Sequence, residues 1–190
     1  AAGVVGQRGD GDLNPDLRAG VGSGRFPTPA AVLVPVVDRE HGLTVILTRR
    51  TDDLPDHAGQ ISFPGGRIDP DDTGPEDAAL RETEEEIGLD RTRVTVLGRL
   101  DTYLTGTGVS ITPVVGIVRP PFTLRPDSRE VAEAFEVPLA FLLNPGNHQY
   151  HERVIKGRDR NFYAVPFGEY FIWGATAGML INLYERLSGK

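Results

Sequence analysis

The 190-residue chain contains no cysteine. This absence excludes a disulfide framework, a thiolate metal site and a cysteine nucleophile. No apolar run approaches the ~18–20 residues needed to cross a bilayer, and no basic start followed by an apolar centre resembles a secretion signal. These absences predict a soluble cytoplasmic protein that has no membrane partner.

Basic residues are fewer than acidic ones: 20 Lys and Arg stand against 27 Asp and Glu, which gives a formal net charge of −7. Non-specific binding to nucleic acid depends on neutralising many phosphates, so this balance argues against a nucleic-acid partner. Hydrophobic residues make up 39% of the chain, which is enough to fill the core of one domain of this length.

Three glutamates stand close together in the segment P-E-D-A-A-L-R-E-T-E-E-E-I, residues 75–87. Glu82, Glu85 and Glu86 are spaced i, i+3 and i+4, so an α-helix projects them from one face within about one turn. Carboxylates at this spacing repel one another unless a multivalent cation binds them, and oxygen ligands suit Mg²⁺ or Mn²⁺. The alternative interpretation is a solvated acidic helix face.

Local signals place the ends of this helix. Thr73 and Glu76 have the spacing of a capping box at its start. Gly88 is placed to end it in a left-handed conformation. Ala78 and Ala79 lie one turn before the glutamates, and we expect their small side chains to leave room for a ligand.

A glycine-rich segment precedes the helix and decides between these interpretations. It reads Phe-Pro-Gly-Gly-Arg from residue 63, and its glycines allow a sharp turn and a close approach to a ligand. Together with the helix it resembles the Nudix box, G-x5-E-x7-R-E-U-x-E-E-x-G-U, in which U is aliphatic. The matching residues are Gly66, Arg81, Glu82, Glu85, Glu86, Gly88 and Leu89, with Thr83 at the first U.

This sequence departs from the Nudix pattern twice. The spacing from Gly66 to Arg81 is one residue longer than the pattern, and Thr73 stands where the early glutamate belongs, with Asp71 and Asp72 beside it.

A second motif, over residues 46–66, looks like the signature of coenzyme A pyrophosphatases within the Nudix family, L-L-T-x-R-S-x3-R-x3-G-x3-F-P-G-G. The matching residues are Leu47, Thr48, Arg50, Gly59, Phe63, Pro64, Gly65 and Gly66, with mild replacements at Ile46 and Thr51. Pro55 stands where the signature has arginine, so we expect Arg49, Arg50 or Arg67 to supply that cation.

The resemblance implies an α/β Nudix fold in which a mixed β-sheet is sandwiched between helices. We predict one Nudix domain over residues 27–190, preceded by a segment, residues 1–26, that is either partly disordered or wrapped around the body. Apolar patterning predicts strands at residues 30–37, 43–48, 94–104, 111–118, 134–137, 153–156, 162–165 and 171–173. It also predicts a short helix at 138–143 and a final helix at 175–187, whose apolar stripe is interpreted as core packing.

The resemblance also assigns roles to residues. Glu82, Glu85 and Glu86 would hold one to three Mg²⁺ or Mn²⁺ ions against a diphosphate, and Arg81 would orient Glu85 by a charged hydrogen bond. The general base is either a motif glutamate or an acid from a later loop, of which Glu130 is our choice, as an extra metal ligand or as the base. Glu133 and Glu136, nearby in the sequence, are interpreted as solvated surface charge.

Substrate contacts are expected from the two motifs: Arg50, His57, Gly65, Gly66 and Arg67. The partner is then a small-molecule nucleoside diphosphate derivative. Three functions compete. The first is hydrolysis of coenzyme A to 3′,5′-ADP and 4′-phosphopantetheine. The second is hydrolysis of another such derivative, for example ADP-ribose, which Pro55 keeps open. The third is non-catalytic binding by a Nudix fold, although such proteins usually lose motif glutamates.

Overall fold

The computed structural model describes residues 6–20, 26–53, 57–155 and 157–189. The strands within these ranges are β1 Gln7–Gly9, β2 Thr28–Arg39, β3 Gly42–Arg50, β4 Ile61–Ser62, β5 Gly65–Arg67, β6 Val94–Arg99, β7 Thr102–Leu104, β8 Val109–Val118, β9 Val131–Pro138, β10 Gln149–Ile155, β11 Arg158–Phe167 and β12 Tyr170–Trp173. The α-helices are α1 Pro15–Gly20, α2 Pro75–Ile87, α3 Leu139–Leu142 and α4 Ala175–Ser188.

Strand β2 is the centre of a nine-stranded mixed sheet. It runs parallel to β8 on one side, whereas β3 and β5 pair with it in antiparallel fashion on the other side. Its near-continuous apolar run, Ala30 to Val37, is what a strand buried on both faces requires. β9 extends the sheet beyond β3, and β6 and β7 pair with β8.

Two hydrophobic cores lie on the two faces of this sheet. On one face α2 packs Ala78, Ala79 and Ile87 against residues that include Leu33 of β2. On the other face α4 and a second, three-stranded sheet of β10, β11 and β12 cover residues that include Val34. The predicted mixed sheet sandwiched between helices is therefore confirmed. No helix among the described residues is long and apolar enough to cross a membrane.

Helix α2 has the predicted bounds but a different N-cap. Its N-cap is Gly74, which has no side chain to accept a hydrogen bond, so the predicted capping box is wrong. Thr73 instead donates both its N–H and its hydroxyl to the carboxylate of Asp77. Gly88 ends the helix at φ 67°, as predicted. The expectation that Ala78 and Ala79 leave room for a ligand is also wrong, because both are fully buried against the sheet.

The strand predicted over residues 94–104 is split into β6 and β7. At the break, the N–H of Asp101 donates to the side chain of Asn182 in α4, and its carboxylate accepts bonds from Asn182 and Arg186. The same carboxylate accepts the N–H of Gly6. This anchor holds β1 in place, where it pairs in parallel with β7. Residues 1–5 and 21–25 of the predicted N-terminal segment lie outside the described residues.

Candidate metal and phosphate site

The glycine-rich segment is strand β5, and its glycines are required by its position. Gly65 pairs with Val32 of β2 and has φ 147°. A Cβ there would lie 2.4 Å from the carbonyl oxygen of Ala31, so only glycine allows this pairing. The N–H of Gly65 points to α2 and donates to Oε2 of Glu86 at 3.0 Å. The loop and the helix are thus joined at the residue expected to bind metal.

Glu86 is a buried carboxylate, with 7% of its surface exposed. Burial raises the pKa of Glu86 to about 7 from its ordinary value of 4.5. The bond from Gly65 and the positive charge of Arg50 act in the opposite direction, whereas the charges of Glu130 and Glu82 raise the pKa further. A carboxyl group with such a pKa takes up a proton near neutral pH unless a cation compensates its charge.

Glu82 lies beside the second glycine. A Cβ on Gly66 would lie 2.5 Å from the carboxyl carbon of Glu82, so the absent side chain makes the space that this carboxylate occupies. Burial raises the pKa of Glu82, and the bond and charge of Arg81 oppose that rise. Glu82 and Glu86 therefore form a pair of partly desolvated carboxylates against the two glycines.

Arg81 is the organising cation of this region. Its guanidinium binds both carboxylate oxygens of Asp72 at 2.9 Å, Glu82 at 3.0 Å, Glu85 at 3.2 Å and the carbonyl oxygen of Arg67 at 3.2 Å. The fork geometry of arginine makes such multiple binding possible. Hydrogen bonds from Arg81 lower the pKa of Asp72 to about 2. The expected contact from Arg81 to Glu85 is present, although Asp72 binds Arg81 through more atoms.

Glu85 shares the Arg81 guanidinium with Glu82 but is the most exposed of the three glutamates. Its side chain is 61% exposed and faces Arg81, whereas Glu82 and Glu86 face the glycines. Across the residues that the structure describes, no three acidic or histidine side chains converge closely enough to form a ready-made metal cage. The pair Glu82 and Glu86 is the part of the predicted trio that the fold brings together at β5.

A loop of residues 125–130 brings a further acid to this pair. The N–H groups of Arg125 and Asp127 donate to the carbonyl oxygens of Ile87 and Glu86 at the end of α2. The carbonyl oxygen of Glu130 accepts the N–H of Thr51 just after β3. These bonds hold exposed Glu130 near Glu86, close enough for its charge to raise the pKa of Glu86.

Arg50 reaches the same place from the end of β3. Its positive charge acts on Glu86 and lowers the pKa of that carboxyl group. Its Nε is buried and has no hydrogen-bond partner among the described residues. A buried donor that lacks a partner lowers the stability of the fold. This N–H is therefore suited to donate a hydrogen bond to an oxygen atom of an anionic ligand.

The other predicted contacts are placed differently. The side chain of Arg67 is exposed, and its carbonyl group is what contacts Arg81. His57 has φ 60° and its Nδ1 lies 2.9 Å from Oε1 of Gln60. Pro55, the departure from the coenzyme A signature, lies outside the described residues.

The interpretation as solvated charge is wrong for Glu136, whose side chain is 25% exposed, whereas Glu133 is 40% exposed, as expected of a surface carboxylate. Glu136 accepts hydrogen bonds from Arg39 and Thr44. Glu133 accepts one from the hydroxyl of Tyr170. Each carboxylate therefore has a partner that its neighbours in the sequence did not indicate.

Sequence reasoning also missed two residues that shape the site. Asp72 is the main partner of Arg81, and Asp127 holds the loop that carries Glu130. The signal for Asp72 was its position next to Thr73, where the motif has an acidic residue. Asp127 had no comparable signal, because its contact with α2 is made by its backbone.

Comparison with known proteins identifies the family of the chain. Residues 27–156 match the model of the NUDIX domain. The chain belongs to the Nudix family. A relative from Escherichia coli K12, named "Uncharacterized Nudix hydrolase NudL", is 41% identical over 162 residues, which are 85% of this chain and 83% of the relative. The relative of the same name from Yersinia enterocolitica is 38% identical over 84% of this chain and 81% of its own length. This Nudix protein is accordingly a hydrolase.

Solved structures show the same fold. The MutT protein of Methanosarcina mazei aligns with a TM-score of 0.55 over 88% of this Nudix hydrolase and 100% of that chain, at 19% identity. The NUDIX domain of Shewanella oneidensis NrtR, solved with ADP-ribose, aligns with a TM-score of 0.54 over 92% of this chain and 98% of that one, at 17% identity.

Nudix hydrolases generally use divalent metal ions, and the residues present fit such an ion. Glu82 and Glu86 supply oxygen donors, which hard cations such as Mg²⁺ and Mn²⁺ prefer. The buried position of Glu86 makes its negative charge unfavourable without a compensating cation, as its raised pKa shows. The absent side chain of Gly66 leaves the Glu82 carboxylate uncovered on the β5 side.

Proposed function

We propose that this Nudix hydrolase cleaves the diphosphate linkage of coenzyme A or its derivatives, giving 3′,5′-ADP and 4′-phosphopantetheine or its acyl form. The observation that carries the proposal is the meeting of the two motifs at Glu86. Arg50 and Gly65, both from the coenzyme A-like signature, flank this glutamate of the Nudix box.

Arg50 is proposed to bind the diphosphate. Its buried Nε needs an acceptor, and a phosphate oxygen supplies one through a charge-assisted bond. Glu86 and Glu130 lie close by, so a diphosphate bound at Arg50 also lies next to the carboxylates. The protein has a net charge of −7. It can nevertheless bind a dianionic diphosphate here, because the positive charge of Arg50 acts locally.

Glu82 and Glu86 are proposed to hold the Mg²⁺ or Mn²⁺ ions, with Glu85 nearby as a further ligand. When bound, such ions neutralise charge on the diphosphate oxygens and activate water for attack. Arg81 positions this set through its bonds to Glu82 and Glu85, and Asp72 fixes the guanidinium itself.

Glu130 is proposed as the general base. It lies near the carboxylate pair and is exposed, so water can reach it. In the reaction a water oxygen forms a bond to phosphorus while the bridging P–O bond breaks. The water proton passes to the Glu130 carboxylate, and the leaving phosphate carries away the electron pair of the broken bond.

The competing substrate class is another nucleoside diphosphate derivative such as ADP-ribose. Its support is the proline at position 55 and the presence of ADP-ribose in the structure of the NrtR domain. Both substrates contain a diphosphate attached to adenosine, so the Glu82–Glu86 site serves either one. They differ in the group on the far side of the diphosphate and in the 3′-phosphate.

The deciding experiment supplies coenzyme A and ADP-ribose separately, with Mg²⁺ or Mn²⁺, and identifies the products by chromatography. We expect 3′,5′-ADP from coenzyme A at a clearly higher kcat/KM. Preference for ADP-ribose would refute the coenzyme A assignment and leave the site intact. Absence of turnover on these and on a wider diphosphate panel would favour the third function, non-catalytic binding.

Glu86→Gln tests the site within the same assay, because it removes the charge and keeps the shape. We expect it to abolish nearly all metal-stimulated turnover. Glu84→Gln is the matched control, since Glu84 is exposed on the same helix and faces neither Gly65 nor Gly66. Full activity in Glu86→Gln would refute the assignment of the metal site.

A further inference from the structure

A second feature, a cleft of about 480 Å³, lies near the end of β3. Its walls are the loop before β4, the end of β3, one residue of β9, and strand β12 with the turn before it. Its charged and aromatic lining residues are Arg49, Glu133, Glu169, Tyr170, Phe171 and Trp173. A volume of this size is in the range that takes part or all of a small ligand.

This cleft and the Glu82–Glu86 site share the end of β3. Successive side chains of a strand point to opposite faces, so Arg50 serves one site while Arg49 lines the other. The loop between them is shared too, because the N–H of Arg50 donates to the carbonyl of Gln60, which lines the cleft. Gly65 is four positions after Ile61, which lines the cleft, so the two residues are at most roughly 14 Å apart.

The polar wall of the cleft contains an ordered acceptor. Glu133 accepts the hydroxyl of Tyr170 at 2.8 Å and lies 3.7 Å from Nε of Arg49. The Tyr170 ring stacks on Phe135 at 9°, which fixes the hydroxyl that holds Glu133. Glu133 and Glu169 together outnumber Arg49 in charge, so this wall disfavours a phosphate and favours a neutral group that carries N–H donors.

The other wall is aromatic. Phe171 and Trp173 are both half buried and both line the cleft. Trp173 packs edge-on against Phe162 at 5.1 Å, so a rigid neighbour supports it from behind. Aromatic walls of this kind bind planar bases by stacking, a contact that a flexible amide chain makes less well.

We propose that this cleft binds the purine base of the substrate, with the exocyclic amine at Glu133 and the ring against Phe171 and Trp173. This inference rests on the proposed function, which locates the diphosphate of the substrate at Arg50. It assigns the nucleoside arm to the β12 side of the molecule and leaves the opposite arm outside this cleft. Residues after position 156, beyond the matched NUDIX domain, would then select the substrate.

Trp173 is the only tryptophan of the chain, so its fluorescence reports directly on the cleft. The experiment titrates the full chain with AMP, ribose 5-phosphate and 4′-phosphopantetheine in excess chelator, with excitation at the red edge to limit absorption by adenine. We expect saturable quenching by AMP and none by the other two. Quenching by 4′-phosphopantetheine instead, by AMP and ribose 5-phosphate equally, or by none of the three would overturn the proposal.

Two variants locate the binding. Phe171→Leu keeps the tryptophan and should weaken AMP binding about tenfold, as loss of one stacking contact predicts. Tyr150→Leu is the control, because Tyr150 is an exposed aromatic residue on the opposite face of the same small sheet. If Tyr150→Leu weakens AMP binding as much as Phe171→Leu, AMP binds elsewhere and the proposal is wrong.

Steady-state kinetics separates this inference from the proposed function. Trp173→Leu should raise KM for an adenosine-containing substrate about tenfold and leave kcat within about twofold. Active enzyme with unchanged KM would overturn the cleft assignment alone. If the wild-type protein cleaves no diphosphate tested, the proposed function fails, and the AMP titration still decides whether the cleft binds a base. The titration of the wild-type protein also decides the question if Trp173→Leu does not fold.

Discussion

The replacement of Glu86 by glutamine should stabilise the metal-free protein at alkaline pH, even though it should destroy activity. The wild-type carboxylate is buried, and its pKa is raised to about 7 because burial disfavours the charged form. Glutamine has nearly the same shape and can still accept the N–H of Gly65 through its amide oxygen. The variant therefore removes a buried charge and retains the hydrogen bond.

The magnitude follows from the pKa of Glu86. The difference between 4.5 and about 7 corresponds to roughly 3 kcal/mol of unfolding free energy above pH 7. As the pH falls from 7 towards 4.5, the folded wild-type protein takes up a proton that the unfolded chain does not bind. Its stability then rises, so the advantage of Glu86→Gln should shrink by more than half between pH 8.5 and pH 5.5.

The assay is urea unfolding in the presence of chelator at these two pH values, followed by circular dichroism. Glu84→Gln, on the exposed side of the same helix, controls for the general loss of one negative charge. Equal effects of Glu86→Gln at both pH values would refute the reasoning, as would a variant less stable than wild type at pH 8.5. Addition of Mg²⁺ at pH 8.5 should stabilise the wild-type protein more than the variant.

Three further changes test neighbouring contacts. Gly66→Ala adds a Cβ 2.5 Å from the carboxyl carbon of Glu82 and should displace that carboxylate. We expect kcat to fall about 100-fold while the thermal midpoint changes little. Unchanged kcat would show that Glu82 is not positioned by the glycine. Arg81→Lys loses the planar guanidinium that binds Asp72 and Glu82 together. The apparent metal affinity, measured by Mg²⁺ titration of activity, should fall about 10- to 100-fold. Full affinity would refute the positioning role of Arg81. Asp101→Asn should cost roughly 2–3 kcal/mol at pH 7 in urea unfolding. Burial alone would raise the pKa of Asp101, but hydrogen bonds from its partners outweigh burial and hold the pKa below 3.8. The loss of stability in Asp101→Asn should therefore diminish as the pH falls through that lowered pKa. A loss that stayed constant down to acid pH would contradict the reasoning.

The sequence predicted those features that depend on local spacing. The bounds of α2 and its end at Gly88 follow from residues within the helix itself, and so does the common face of Glu82 and Glu86. The central strand β2 was evident because its apolar run is nearly continuous. Such signals need no knowledge of distant residues.

Features that depend on distant residues were not predictable in the same way. Ala78 and Ala79 were expected at a ligand, but β2 passes close beneath them and buries both. Glu85 was grouped with its neighbours, but its side chain is 61% exposed and is bonded to Arg81, whose guanidinium also binds Asp72. The break between β6 and β7 comes from Asp101, whose partners lie in α4 and before β1.

The parallel pairing of β1 with β7 has a consequence for self-association. An uncovered edge of β7 would present unpaired N–H and C=O groups to any other extended chain. β1 occupies that edge with only three residues and then turns away at Asp10, where a short 3₁₀-helix begins. Within the described residues, the outer edge that β1 offers is therefore only three residues long, which makes it a short template for another chain, and the bond from Gly6 to Asp101 holds β1 in place.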